Sequence, residues 1–284
     1  MFKCNKLLGV SLAAVMSISA TATNVFAIDT SVIDEKWGKP TVVYGGGLSE
    51  DQIQSTRELF DIEDTNNVYE TSVDANDLYN YLGIAGGDTS SLISSVMVQK
   101  QDSGTGVKVK IITQSNITKI TSNQYANAAI TAGVSDVEID VASVSKVTGE
   151  SALTGVYKAL EANGETLDPD RTQVAQDELE TTNEIAQNNA DDSNFDSARL
   201  DQALVEIKQE LAQIKQNQGS AATTEQVEQV VQDALKKFNL SDIISQDDID
   251  KLIAFAKKYQ NTSAIDSQEV LNQLNKLSGS LKKA

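Results

Sequence analysis

The sequence predicts an α+β fold, an N-terminal α/β-type domain on a mixed or antiparallel sheet followed by an all-α helical region, and three observations predict it. Before about residue 160 the chain carries β-branched runs alternating with polar residues, and most of its glycines; period two is the mark of half-buried strands. After that point, stretches rich in glutamine and acids space their apolar residues three and four apart, as amphipathic helices do. Pro40 and Pro169, the only two prolines, stand where regions are expected to begin. The expected organisation is a leader at 1–27, an α/β domain at 28–165, and a helical region of hairpins or a small bundle at 166–284.

The leader places Lys3 and Lys6 ahead of an apolar stretch over about 7–22 and ends in Val25-Phe26-Ala27. Small or modest residues at the last and third-last positions fit signal-peptidase cleavage near Ala27. A secreted or extracytoplasmic, envelope-associated chain is expected. An uncleaved anchor is the alternative, because the segment is only just long enough to span a bilayer. No second apolar stretch follows, so no transmembrane segment is expected after cleavage.

The formal charge is −18, and removing the leader takes two lysines and no acids, giving −20. Such a chain repels nucleic acid. There is no histidine, and the single cysteine, Cys4, lies in the leader. The commonest general base, the commonest zinc ligands, the thiolate nucleophile and a Ser-His-Asp triad are all excluded from the mature chain. No cofactor and no metal site is expected.

In the first region, residues 41–44 read as a strand ending in the turn Gly45-Gly46-Gly47, and Ser49 with Gln52 forms a capping box for a helix carrying Ile53, Leu59 and Phe60. A glycine run before a helix suggests a phosphate loop. No Lys-Ser/Thr follows, however, and Glu50 and Asp51 would repel a phosphate. Residues 68–73 read as a weaker strand and 74–82 as a short helix. Val96 and Val98, then Val107, Val109 and Ile111 beyond the turn-rich DSGTG at 102–106, predict a β-hairpin. Thr121 with Gln124 caps a helix that stops at Gly133, and Val137, Ile139 and Val141 form the next strand. Lys108 and Lys110 would pair with Glu138 and Asp140 if their strands are neighbours, so adjacency is expected.

The stretch YANAAITAGVSDVEIDVAS at 125–143, followed by VTGESALTGVYKALE at 147–161, resembles the central signature of the YpuA-like family of exported bacterial proteins, a family of unknown function. VVYGGGLSEDQ at 42–52 and DELETTNEIA at 177–186 extend the resemblance over nearly all of the mature chain. Membership implies an extracytoplasmic protein, typically of Firmicutes, without an established activity. Within the signature, Tyr125, Asn127, Thr131 and Gly133 are expected to serve packing. Thr148-Gly149 and Thr154-Gly155 bracket a helix start whose amides and hydroxyls are candidates for a ligand or partner groove, with close helix–sheet packing as the alternative.

Asp168 as N-cap and Pro169 at the first helical position open the helical region. Beyond the break at Asp191-Asp192, Leu200, Leu204, Ile207, Leu211 and Ile214 recur as a heptad seam. That seam is a candidate for self-association into a homo-oligomer, with an internal helix hairpin as the alternative. Further helices are expected to start at Thr223, Ser245 and Asp266.

No catalytic residue is assigned. Most carboxylate pairs, such as Glu63-Asp64 and Asp247-Asp248, sit at helix starts, and neither acidic loop at 61–67 or 191–194 continues as a calcium-binding EF-hand. The expectation is a non-enzymatic interaction or structural protein of the cell envelope or extracellular space, its partner an unknown protein or cell-wall component. The rivals are a secreted carboxylate-dependent hydrolase acting on wall polymer and a binder or inhibitor of another exported enzyme.

Overall fold

A computed structural model describes residues 37–282. The expected leader at 1–27 lies outside them. Five strands, β1 (Thr41–Gly45), β2 (Tyr69–Val73), β3 (Ser95–Lys100), β4 (Val107–Ile111) and β5 (Val137–Ala142), form one sheet in the order β2-β1-β3-β5-β4. Pairs β1–β2 and β4–β5 are parallel, while β3 runs antiparallel to both of its neighbours. The sheet is therefore mixed, as expected of the N-terminal region.

The predicted hairpin is corrected in one respect: β3 and β4 do not pair, because β5 lies between them. Asp136, just before β5, holds the connection across that strand's start. Its carbonyl accepts from Gln101 N at 2.8 Å and its Oδ1 from Gly106 N at 2.7 Å. The chain thus steps over β5 instead of folding straight back. The expected adjacency of the lysine and acid strands holds, with Lys108 opposite Glu138 and Lys110 opposite Asp140.

Alternation then sorts the strands' side chains onto two faces. Val42, Tyr44, Met97 and Ala142 pack with Phe60 and Ile53 under α1 (Glu50–Leu59). Val43, Val96, Val98, Ile139 and Val141 face the opposite way, against α2 (Ala75–Leu82), α3 (Ser122–Ala132) and α4 (Ala152–Ala162). Both predicted capping boxes form, Ser49 with Gln52 and Thr121 with Gln124.

The remaining helices are α5 (Pro169–Asn188), α6 (Ser197–Gln218), α7 (Thr224–Lys237), α8 (Gln246–Tyr259) and α9 (Gln268–Leu281). Ser267, not Asp266, caps α9; Asp266 closes the preceding turn and pairs with Lys215. Packing runs across the change in composition. Ala175 and Leu179 of α5 join the sheet-side core, and Ala126 and Ile130 of α3 join the core of the helical region. Among the described residues, no helix is long and apolar enough to cross a membrane.

Candidate functional site

Helix α3 is tied to three neighbours by the four signature residues on it and at its end: the loop before α4, α5 and α6. The Tyr125 hydroxyl donates to the Gly149 carbonyl, fixing the loop before α4. Gly149 has φ +103°, and a Cβ there would lie 2.6 Å from the Tyr125 oxygen and 2.7 Å from Ile117 Cγ2, so conformation and space both require glycine. Gly133 ends α3 in the left-handed region, and Arg171 of α5 lies over it, donating from Nε to the Thr131 carbonyl at 2.9 Å.

Asn127 and Thr131 hold a buried charge. Lys208 of α6 donates from Nζ to Asn127 Oδ1 at 2.9 Å, Thr131 Oγ1 at 3.2 Å and Glu178 Oε1 at 2.8 Å, with a longer contact of 3.3 Å to the Asn127 carbonyl. The Thr131 hydroxyl in turn donates to Glu178 Oε2. Lys208 is 0% and Glu178 1% exposed, so the pair is cut off from solvent. Burial pulls the Lys208 ammonium below the usual lysine range, against the attraction of Glu178. This network joins α3, α5 and α6.

The seam of α6 lies in the same interior. Leu200, Leu204, Ile207 and Leu211 are buried in the core of their own chain, and Ile214 packs partly buried against it. Those side chains pack against neighbouring helices of the same molecule, as in the internal arrangement.

The helix start predicted near Gly149 opens onto a cleft of about 290 Å³. Leu78, Leu82 and Ile84 from α2 and its end, together with Leu92 and Val147, supply apolar wall; Thr148, Gly149, Glu150, Ser151 and Thr154 come from the start of α4, and Gln176 and Glu180 from α5. Three of the four groove candidates, Thr148, Gly149 and Thr154, therefore line one cleft. Gly155 does not. It serves close packing, since a Cβ there would stand 2.9 Å from Val96 Cγ2 and 3.7 Å from Val43 Cβ on the sheet.

Two of the residues that line this cleft carry a buried polar atom without a partner. Thr154, 0% exposed, has no hydrogen-bond partner for its hydroxyl among the described residues. Gln176, 7% exposed, donates from Nε2 to Glu180 Oε1 at 2.8 Å, which turns its Oε1 the other way, also without a partner. Glu150 is held by neutral donors, Asn183 Nδ2 at 3.2 Å and Thr148 Oγ1 at 3.2 Å. Ser151, the N-cap of α4, makes no side-chain cap. No group of three or more metal-ligating side chains converges among the described residues. Sequence reasoning found the α4 side of the cleft and missed the α5 side, Gln176 and Glu180, which lie a turn apart on one helix face.

Fold and cleft together define an α+β protein whose mixed sheet is locked to a helical region through α3, with a small cleft bearing two glutamates between α2, the start of α4 and α5. Comparison with known proteins gives that class a family. The chain belongs to the family described as a protein of unknown function, DUF1002, which matches residues 44–277. It is 31% identical over 252 residues to the uncharacterized protein YpuA of Bacillus subtilis (strain 168), covering 87% of this chain and 80% of that one. No solved structure matches.

Proposed function

We propose that this chain is an exported, non-enzymatic protein of the cell envelope or extracellular space, which binds a partner protein or cell-wall component in the cleft at the start of α4. The leader pattern at 1–27 supports export. The observation that carries the binding reading is the pair of buried, unpartnered polar atoms, Thr154 Oγ1 and Gln176 Oε1, in one cleft with an apolar wall. A few placed polar groups on apolar lining are the usual make-up of a ligand site. Buried groups of this kind cost stability unless something satisfies them.

Glu150 and Glu180 share the cleft, and that observation favours a second reading, carboxylate-dependent hydrolysis. The bonds they make weigh against it: each is already committed as an acceptor to a neutral amide or hydroxyl of its own chain.

One experiment separates the readings. Protein expressed with its leader intact is recovered from outside the cells, its N-terminus is read by intact mass, and it is incubated with isolated cell wall. Cleavage near Ala27 and retention on the wall without released fragments is the expected result. An uncleaved cytosolic chain overturns export, and fragment release abolished by Glu180→Gln establishes the hydrolase.

A further inference from the structure

Every charged side chain that lines the cleft is a glutamate, and the orphaned amide oxygen beside them is an acceptor. Glu150 and Glu180 supply negative charge, Gln176 Oε1 supplies a neutral acceptor whose orientation is fixed by the bond from Nε2 to Glu180, and no lysine or arginine is among the lining residues. An acceptor-rich site of this kind is satisfied by a ligand rich in donors. The facing wall, Leu78, Leu82, Ile84 and Leu92, is aliphatic, and Ile84 is 39% exposed at the rim. An aliphatic wall leading to acceptors and carboxylates fits a flexible alkyl stem that ends in a positive charge.

Building on the binding reading above, we propose that this cleft binds a primary ammonium group on an alkyl stem, as carried by a lysine side chain of a partner polypeptide or by a free diamine. The ammonium sits against the Glu180 carboxylate, the unpartnered Gln176 Oε1 and Thr154 Oγ1 accept from it or from neighbouring donors, and the stem lies on the Leu78 and Leu82 wall. The charge of −18 on the whole chain adds long-range attraction for a cationic partner, and the fall of that attraction with salt is part of the signature.

The test is a titration of the full chain, followed by amide NMR, with 1,5-diaminopentane, with Nα-acetyl-lysine amide and with the uncharged Nα-acetyl-norleucine amide. Saturable shifts at residues 148–154 and 176–180 are expected with a charged probe, with at least tenfold weaker response to norleucine amide. Binding should weaken at least tenfold in Glu180→Gln, an exposed position where folding is not at stake, and several-fold in Thr154→Val. Diamine binding alone assigns a free amine as the source; binding of the lysine amide assigns a polypeptide. Norleucine amide binding as tightly as lysine amide, or binding indifferent to Glu180→Gln, overturns the ammonium assignment. If neither charged probe shifts these residues while wall fragments do, the ammonium assignment fails and the binding reading stands. If nothing shifts them, both fail.

Discussion

Lys208 Nζ donates to Glu178 Oε1 at 2.8 Å with both side chains sealed from solvent, and this ion pair stands where the sheet-bearing half and the helical half of the molecule meet. Taking both charges out of water is costly, and their attraction offsets that cost only because Asn127 and Thr131 satisfy the remaining donors of the ammonium. Lys208→Met should therefore destabilise the protein by about 3–5 kcal/mol, since it leaves a buried carboxylate without its counter-charge. The double variant Lys208→Met with Glu178→Leu should recover much of that loss. Denaturant melts of the two single variants and the double close the cycle; additive losses would show that the residues act independently.

The carboxyl of Asp201, two turns before Lys208 on α6, should give the protein a pH dependence. Burial pushes it up to about 7, with Glu178 and Asp196 adding to the effect and Asn123 and Lys208 opposing it. Asp140 is likewise pushed up to about 7 by burial, Lys110 opposing and Glu138 and Asp61 adding. In the unfolded chain an aspartate titrates near 4. Between about 4 and 7 the native state holds protons that the unfolded chain has lost, so stability falls as pH rises across that window, by up to about tenfold in the folding constant per pH unit for each group. Thermal melts should show a lower Tm at pH 8 than at pH 5. Asp201→Asn should flatten the difference, and an unchanged slope in that variant would remove Asp201 as its source.

The loop that positions α4 depends on Tyr125 and Gly149 together. Gly149→Ala forces a side chain into a backbone conformation at φ +103° and into contact with the Tyr125 oxygen, and should cost about 1–3 kcal/mol. Tyr125→Phe removes one of the two donors to the Gly149 carbonyl, leaving it the bond from Ala152 N, and should cost about 0.5–1.5 kcal/mol. Because both act on one contact, the double variant should lose less than the sum, which urea titration can measure.

These residues also show what was legible in the sequence. Helix starts were, because Ser49, Thr121 and Thr223 each meet a glutamine three residues on, a local chemistry that needs no tertiary context. Strand content was legible too, but the pairing of β3 was not: a turn-rich segment between two alternating runs reads as a hairpin whether or not a distant strand inserts. What fixes the insertion is Asp136, thirty residues or more from the Gly106 and Gln101 amides it gathers. The buried network left a trace that periodicity does record. Lys208 stands four residues after Leu204 and three before Leu211, and Asp201 one heptad earlier, so both lie along the apolar stripe of α6. A charge on a stripe signals a buried partner without naming it. Glu178 and the α3 residues come from other helices, and only the fold brings them together.

Thr154 offers a test in which stability and binding should move in opposite directions. Its side chain is fully buried at the first turn of α4, and its hydroxyl has no partner among the described residues. Valine has nearly the same shape without the polar atom, so Thr154→Val removes an unsatisfied buried group while conserving the buried volume. The free protein should become more stable by about 1 kcal/mol, reversing the usual sign for a core substitution. A purely structural hydroxyl, bonded to a buried water or to the helix backbone, would instead give a loss of stability on substitution. Chemical denaturation of the free protein decides between them: a gain would show that the hydroxyl is kept at a cost, as a group retained for a ligand is, and a loss would show that it is kept for the fold.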